Sequence, residues 1–201
     1  MGDTYSNKME WAIPLQKLEV GKIQIGDIQH AEKAVVSLAY FDGQNTFPNL
    51  NILLPVLKVK EFDPKTGKLL LDLQNIPHHF ETKLNALQST LLNAVFIQQR
   101  QWFQTSTYSY EALAQHFKPI VESSVLHLYF PIFSTSGDKN NIRIYKNGIW
   151  YNKFEPGLLD ANSSVRIMFR IQGLCFHKHP YNNAWSGKFR LQHRICAILI
   201  E

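Results

Sequence analysis

Two stretches near the C-terminal end, Val165-Arg-Ile-Met-Phe-Arg-Ile-Gln172 and Lys188-Phe-Arg-Leu-Gln-His-Arg-Ile195, alternate apolar and polar side chains residue by residue. A period of two is the signature of an extended strand with one buried face. In the first stretch Val165, Ile167, Phe169 and Ile171 share a face, and Arg166, Met168, Arg170 and Gln172 take the other. In the second, Phe189, Leu191 and Ile195 lie opposite Lys188, Arg190, Gln192 and Arg194. Each strand therefore offers one side to a core and one side to an anion.

The charge of the whole chain follows those strands. A formal net charge of +5 over 201 residues suggests an anionic partner. Residues 1–50 carry 4 Lys/Arg against 6 Asp/Glu, residues 51–121 carry 7 against 5, and residues 122–201 carry 10 against 5. No Asp or Glu falls between Arg166 and Gln192. A solvated strand face is usually charged, and cations also guard sheet edges from aggregation. Such faces normally mix signs, however, and a one-sign face favours a polyanion. Arginine outnumbers lysine there, which suits forked contacts with phosphate and stacking on bases.

The remaining pattern is strands, two helices, then strands. Residues 21–26 and 34–41 read as strands, the second ending in the turn Asp42-Gly43. Asn51 to Leu54 is extended before Pro55. Residues 56–62 and 68–73 flank the hairpin signal Asp63-Pro-Lys-Thr-Gly67. Phe80, Leu84, Leu87, Leu91, Val95 and Trp102 recur at helical intervals and predict one long helix over residues 79–102. Ser109 caps a shorter helix through Phe117, stopped before Pro119. Strands return at residues 125–130, 142–145 and 149–154. No βαβ alternation occurs, so the expectation is one domain over residues 1–201, mainly β of the α+β class. Its sheet is expected to be an antiparallel, partly open β-barrel with the two helices inserted between strands. The loops 134–141 and 177–187 are the expected mobile parts.

Asn147-Gly148, flanked by Ile142-Arg-Ile-Tyr-Lys146 and Ile149-Trp-Tyr-Asn-Lys153, predicts a two-residue hairpin turn, because both residues accept positive φ. In that register Tyr145 faces Trp150 and Arg143 faces Asn152. Two rings then lie beside a guanidinium, an arrangement that stacks bases and holds phosphates. The competing reading packs both rings into the core. The candidate nucleic-acid face is thus Arg143, Tyr145, Trp150, Arg166, Arg170, Lys188, Arg190 and Arg194.

Other chemistry finds little support. Cys175, His177, His179, His193 and Cys196 invite zinc, but His193 and Cys196 point to opposite faces and no C-x-x-C pair exists. No metal or other cofactor is expected. Two cysteines in a basic chain are most simply reduced thiols of an intracellular protein. There is no phosphate-binding loop, no H-E-x-x-H and no G-x-S-x-G, and His78-His79 pairs with no visible nucleophile. A non-enzymatic protein is expected. No apolar run reaches the length of a membrane span. Met1-Gly-Asp-Thr-Tyr-Ser6 has the form of a myristoylation site, without the polybasic neighbour that would give a second membrane signal.

The order of several features resembles the single-stranded-DNA-binding proteins of the nucleocytoplasmic large DNA viruses. It runs from about Asn51 to the C-terminus. It comprises Leu53-Leu-Pro55 before a strand, a helix ending in Gln101-Trp-Phe103, Phe117-Lys-Pro-Ile-Val121, and a short strand with Pro131. It continues through Val165 to Phe176 around Gly173 and Gly187-Lys-Phe-Arg-Leu191. Leu174-Cys175 departs from it, where bulky aromatics are expected after the glycine. Residues 1–50 lie outside it, and their acidic balance suits protein contacts. The resemblance implies an OB-like barrel that binds single-stranded DNA or RNA without sequence preference. The expected partners are that nucleic acid, viral replication or transcription proteins, and a second copy of the chain. The expected place is the host cytoplasm (the viral factory) or nucleus, or the virion. Two rival readings are a structural or assembly protein contacting packaged genome or acidic partners, and a small Cys/His metal-binding protein.

Overall fold

A computed structural model describes residues 11–30, 33–103, 107–130, 142–151, 154–155, 157–178, 181 and 184–201. The Gly2 pattern, the loop 134–141, Pro131, Asn152 and His179 lie outside these. In chain order the strands before the helices are β1 (Ile13–Pro14), β2 (Ile23–His30), β3 (Ala34–Phe41), β4 (Thr46–Phe47), β5 (Leu50–Asp63) and β6 (Lys68–Asp72). Two helices come next, α1 (His78–Phe103) and α2 (Tyr110–His116). After them come β7 (Phe117–Lys118), β8 (Val121–Glu122), β9 (Val125–Tyr129), β10 (Arg143–Lys146), β11 (Ile149–Tyr151), β12 (Ser164–Lys178) and β13 (Trp185–Ile200). The expected order of strands, two helices and strands is present, and the protein is mainly β with α+β organisation.

The strands form one sheet whose main path runs β11-β10-β13-β12-β5-β6-β9-β8, with β2, β3 and β4 branching from β12. The path is open, since its end strands β11 and β8 do not pair. It is also mixed rather than wholly antiparallel: β1 pairs with β5, and β7 and β10 with β13, in parallel. Local patterning could not show this. A parallel pair needs a long connection, and β10 and β13 are separated by β11 and β12. Hairpin logic reads neighbours in sequence and is blind to such a pair.

β12 and β13 are the long central pair, and their alternation behaves as the sequence requires. Val165, Ile167, Phe169 and Ile171 are buried on β12, and Phe189, Leu191 and Ile195 on β13. Past the register shift opposite Met168 and Phe169, where Cys196 is the extra residue, the phase of β13 changes and Ile198 and Ile200 take the buried side. They join Leu50, Ile52, Leu54, Leu57 and Val59 of β5 and Leu69 and Leu71 of β6 in a single core. Full burial of each such side chain contributes about 1.5–3 kcal/mol. Pro55, which reads as a break between two strands, instead sits inside the continuous β5. The β5–β12 register slips there, between Arg166 and Met168, so Pro55 falls at a bulge that tolerates its missing N–H.

A second slip lies between Ile171 and Gly173 on β12. Gly173 has φ +144°, and a Cβ there would collide with the carbonyl oxygen of Val36. Only glycine lets β12 twist enough to leave β5 and pair with β3 through Leu174, Cys175 and Phe176.

The helix α1 turns Phe80, Leu84, Leu87, Leu91, Val95 and Trp102 to the core, as its periodicity predicts. Polar residues fix the segments after it. Buried Gln88 accepts from Ile120 N–H at 2.6 Å and Val121 N–H at 2.9 Å, which pins the start of β8. Gln99 accepts from Tyr108 N–H at 2.7 Å and donates to Tyr108 O at 2.9 Å, which fixes the turn into α2. Ser109 caps α2 as expected, accepting from Ala112 N–H at 3.2 Å. The N-terminal segment is held too: Lys83 Nζ donates to the carbonyls of Gln16 and Leu18.

Candidate nucleic-acid interface

The β10–β11 hairpin turns through Asn147 (φ 50°) and Gly148 (φ 83°), the pair of positive values that a primed turn demands. Tyr145 faces Trp150 with ring centroids 4.9 Å apart. Trp150 is 65% exposed, so it is not a core residue. Tyr145 is half-buried. The expected partner of Arg143, Asn152, lies outside the described residues.

The hairpin docks on β13, and this brings the separate halves of the expected site together. A transverse row crosses five strands: Trp150, Tyr145, Leu199, Arg166 and Val56 are successive registered partners. Strands lie about 4.8 Å apart, so Trp150 and Arg166 stand roughly 14 Å apart along that row. The next row holds Arg143, Ala197, Met168 and Leu53. A third holds Arg194, Arg170 and Asn51. Farther along, Arg190 is registered with Cys175 on one side and Lys118 on the other. Lys188 shares the parity of Arg190 and is exposed at the far end of β13. All eight expected residues thus lie on one face of one sheet.

The electrostatics of that face are one-sided. Among the described residues, Arg143, Arg166, Lys188, Arg190 and Arg194 have no carboxylate within ion-pair distance. Arg170 is directly opposite Arg194, a like-charge pair that disfavours the sheet on its own. Asn51 mitigates this: its Oδ1 accepts from Arg170 Nε at 3.0 Å, while its Nδ2 donates to Trp11 O at 2.7 Å. Trp11 in turn stacks on Phe47 at 3.7 Å. A residue of the acidic N-terminal part therefore adjoins the prop of an arginine on the basic face. That link was not legible, because Asn51 and Arg170 are 119 residues apart.

The edge of β13 borders a cleft of ≈ 200 Å³. Lys118, His127, Tyr129, Arg190, Gln192 and His193 line it. Here β9 meets β13 without a ladder. Tyr129 N–H donates to His193 Nε2 at 3.2 Å, and His193 Nδ1 lies 3.4 Å from Leu191 O. An accepting Nε2 requires the neutral Nδ1–H tautomer. Burial, reinforced by Arg190 and Lys118 against the Leu191 carbonyl, pushes the His193 pKa down to about 4. Burial also lowers His127, and Lys68 and Lys118 add to this while Glu122 opposes it. His177 is lowered by burial and then by Arg190 and Lys188. Sequence reading missed Lys118, Tyr129 and Asn51 at this face. The two-residue strand β7, which carries Lys118, has no local pattern to betray it.

Of the Cys/His candidates, His179 lies outside the described residues. Cys175 and Cys196 are buried thiols not joined in a disulfide, and His177 is exposed. Among the described residues no set of three His, Cys, Asp or Glu side chains is placed to hold a metal ion. Among them, too, no helix is long and apolar enough to cross a membrane. No family model matches the chain, and it shows no significant similarity to a curated protein or a solved structure.

Proposed function

We propose that this protein binds single-stranded nucleic acid without sequence preference, through the outer face of the β11-β10-β13-β12-β5 sheet. The observation that carries the reading is the exposed Trp150 ring, registered in one row with Tyr145 and with Arg166, an arginine without a carboxylate partner among the described residues. Arg143, Arg166, Arg170, Lys188, Arg190 and Arg194 take phosphates, and Trp150 and Tyr145 take bases. The open sheet serves as an OB-like platform, and the protein acts without catalysis. Resemblance to the viral single-stranded-DNA-binding proteins supports a role in viral replication or transcription, inside the infected cell.

Salt titration with labelled oligothymidylate tests this. Neutralising Z phosphates on a single strand gives a slope of log K against log salt near −0.7Z, so partial engagement of these cations predicts about −2 to −4. Arg190→Glu with Arg194→Glu flattens the slope and weakens every sequence alike, since phosphates carry no sequence information. Trp150→Ala costs about 1–3 kcal/mol with the slope unchanged, since stacking is not ionic. No binding at low salt would overturn the proposal and favour an assembly role.

A further inference from the structure

We infer that the cleft between β7, β9 and β13 is a phosphate-binding subsite at the end of the basic face. It deepens the strand-binding reading and is testable apart from it. Lys118 and Arg190 are directly registered partners on β7 and β13. Like charges opposite one another destabilise a sheet unless something lies between them. Among the described residues no carboxylate lines the cleft to do so. Among the described residues Lys118 Nζ contacts only neutral groups there, the Tyr129 hydroxyl at 3.3 Å and the Tyr129 ring at 5.5 Å from its centroid. Its charge is therefore positioned and, among those residues, meets no carboxylate.

The neighbours complete an anion site. The Gln192 amide can donate, and the His127 ring lines the same wall. His193 is occupied structurally by the Tyr129 N–H and Leu191 carbonyl. It shapes the floor of the cleft without titrating into the site at neutral pH. A phosphate between Lys118 and Arg190 receives charge-assisted hydrogen bonds from both, with the arginine fork supplying two. Extended backbone rises about 3.3 Å per residue, so Arg190 lies about 13 Å from Arg194 along β13. The cleft is thus the terminus of the face that holds the strand. A strand's end, an internal diester and a free ester all present the same phosphate oxygens.

Two-dimensional NMR of the full chain at low ionic strength, titrated with inorganic pyrophosphate, is the test. The backbone amides of Tyr129, Arg190 and Gln192 should shift together. Lys118→Gln, at an exposed position, should weaken binding about tenfold, and Lys118→Arg should restore it. No saturable shifts at these amides, or shifts indifferent to Lys118→Gln, overturn the subsite. Oligothymidylate with a 5′-phosphate or a 5′-hydroxyl then assigns the source. A Lys118-dependent preference for the phosphorylated end means a terminal phosphate, and Lys118-dependent binding without preference means an internal diester. Pyrophosphate binding with no affinity for either oligonucleotide means a free phosphate ester, and it refutes strand binding while the subsite stands.

Discussion

At the scale of single residues, His193 shows how one side chain ties two distant strands to solution pH. Folded protein holds it neutral with a pKa of about 4, whereas an unfolded chain protonates it near the ordinary 6.5. The stabilisation is therefore complete above pH 6.5 and is lost as pH falls from 6.5 towards 4. That shift corresponds to at most about 3 kcal/mol. His127 and His177 are lowered as well and act in the same direction. Asp42 and Asp63, held low chiefly by the Asn45 N–H and the Thr66 hydroxyl respectively, act only below their ordinary range near 3.8. Urea unfolding across the range from neutral pH to about 4.5 should show the decline, and His193→Gln should flatten most of it. An unchanged pH profile in the variant would mean that the Tyr129–His193 bond is not what links pH to stability.

At the scale of elements, local signals were readable and distant ones were not. The Asn147-Gly148 turn, the Ser109 cap and the apolar stripe of α1 depend on neighbours within a few residues, so the sequence carried them openly. The two-residue strands β1 and β7 exist only because β5 and β13, far off in the sequence, accept them. Gln88 illustrates the same limit. It sits on a helix among Leu87, Leu91 and Leu92, and its periodicity suggests a solvent position, yet it is buried and holds two backbone N–H groups. An unsatisfied buried group costs roughly 1–3 kcal/mol, so Gln88→Leu should destabilise the fold by about 2–5 kcal/mol despite its added apolar surface. The urea midpoint measures this. A leucine variant as stable as the parent would show that water can replace the amide.

At the scale of the whole molecule, the docking of the β10–β11 hairpin on β13 makes one continuous face from two patches that are separate in sequence. The faces of β12 and β13 could be assigned from alternation alone. Which edge received the hairpin could not, and neither could the arrival of Lys118 and Tyr129 beside Arg190. The assembled face is an open sheet surface with an exposed indole, not a protruding helix suited to a groove. Paired bases cannot splay onto Trp150 and Tyr145. Duplex of matched length should therefore bind more weakly than single strand, and Trp150→Ala should narrow the gap. Equal affinities in a fluorescence-anisotropy competition, unaffected by that substitution, would reduce the face to a general polyanion surface.

The central place of β13 also governs when the molecule can form. β12 precedes it, β10 and β7 lie against its other edge, and the Tyr129–His193 bond ends on it. Residues 185–200 are the last of these to leave the ribosome. Until then the long apolar strand β12 presents the edge that β13 will cover, and an unpaired apolar edge is the state most open to misassociation. Pairings across more than a hundred residues, such as Asn51 with Arg170, also make loop closure slow. The cationic surface and the core beneath it thus come into being together, once residues 185–200 are there to pair, and a chain that has not placed β13 has neither.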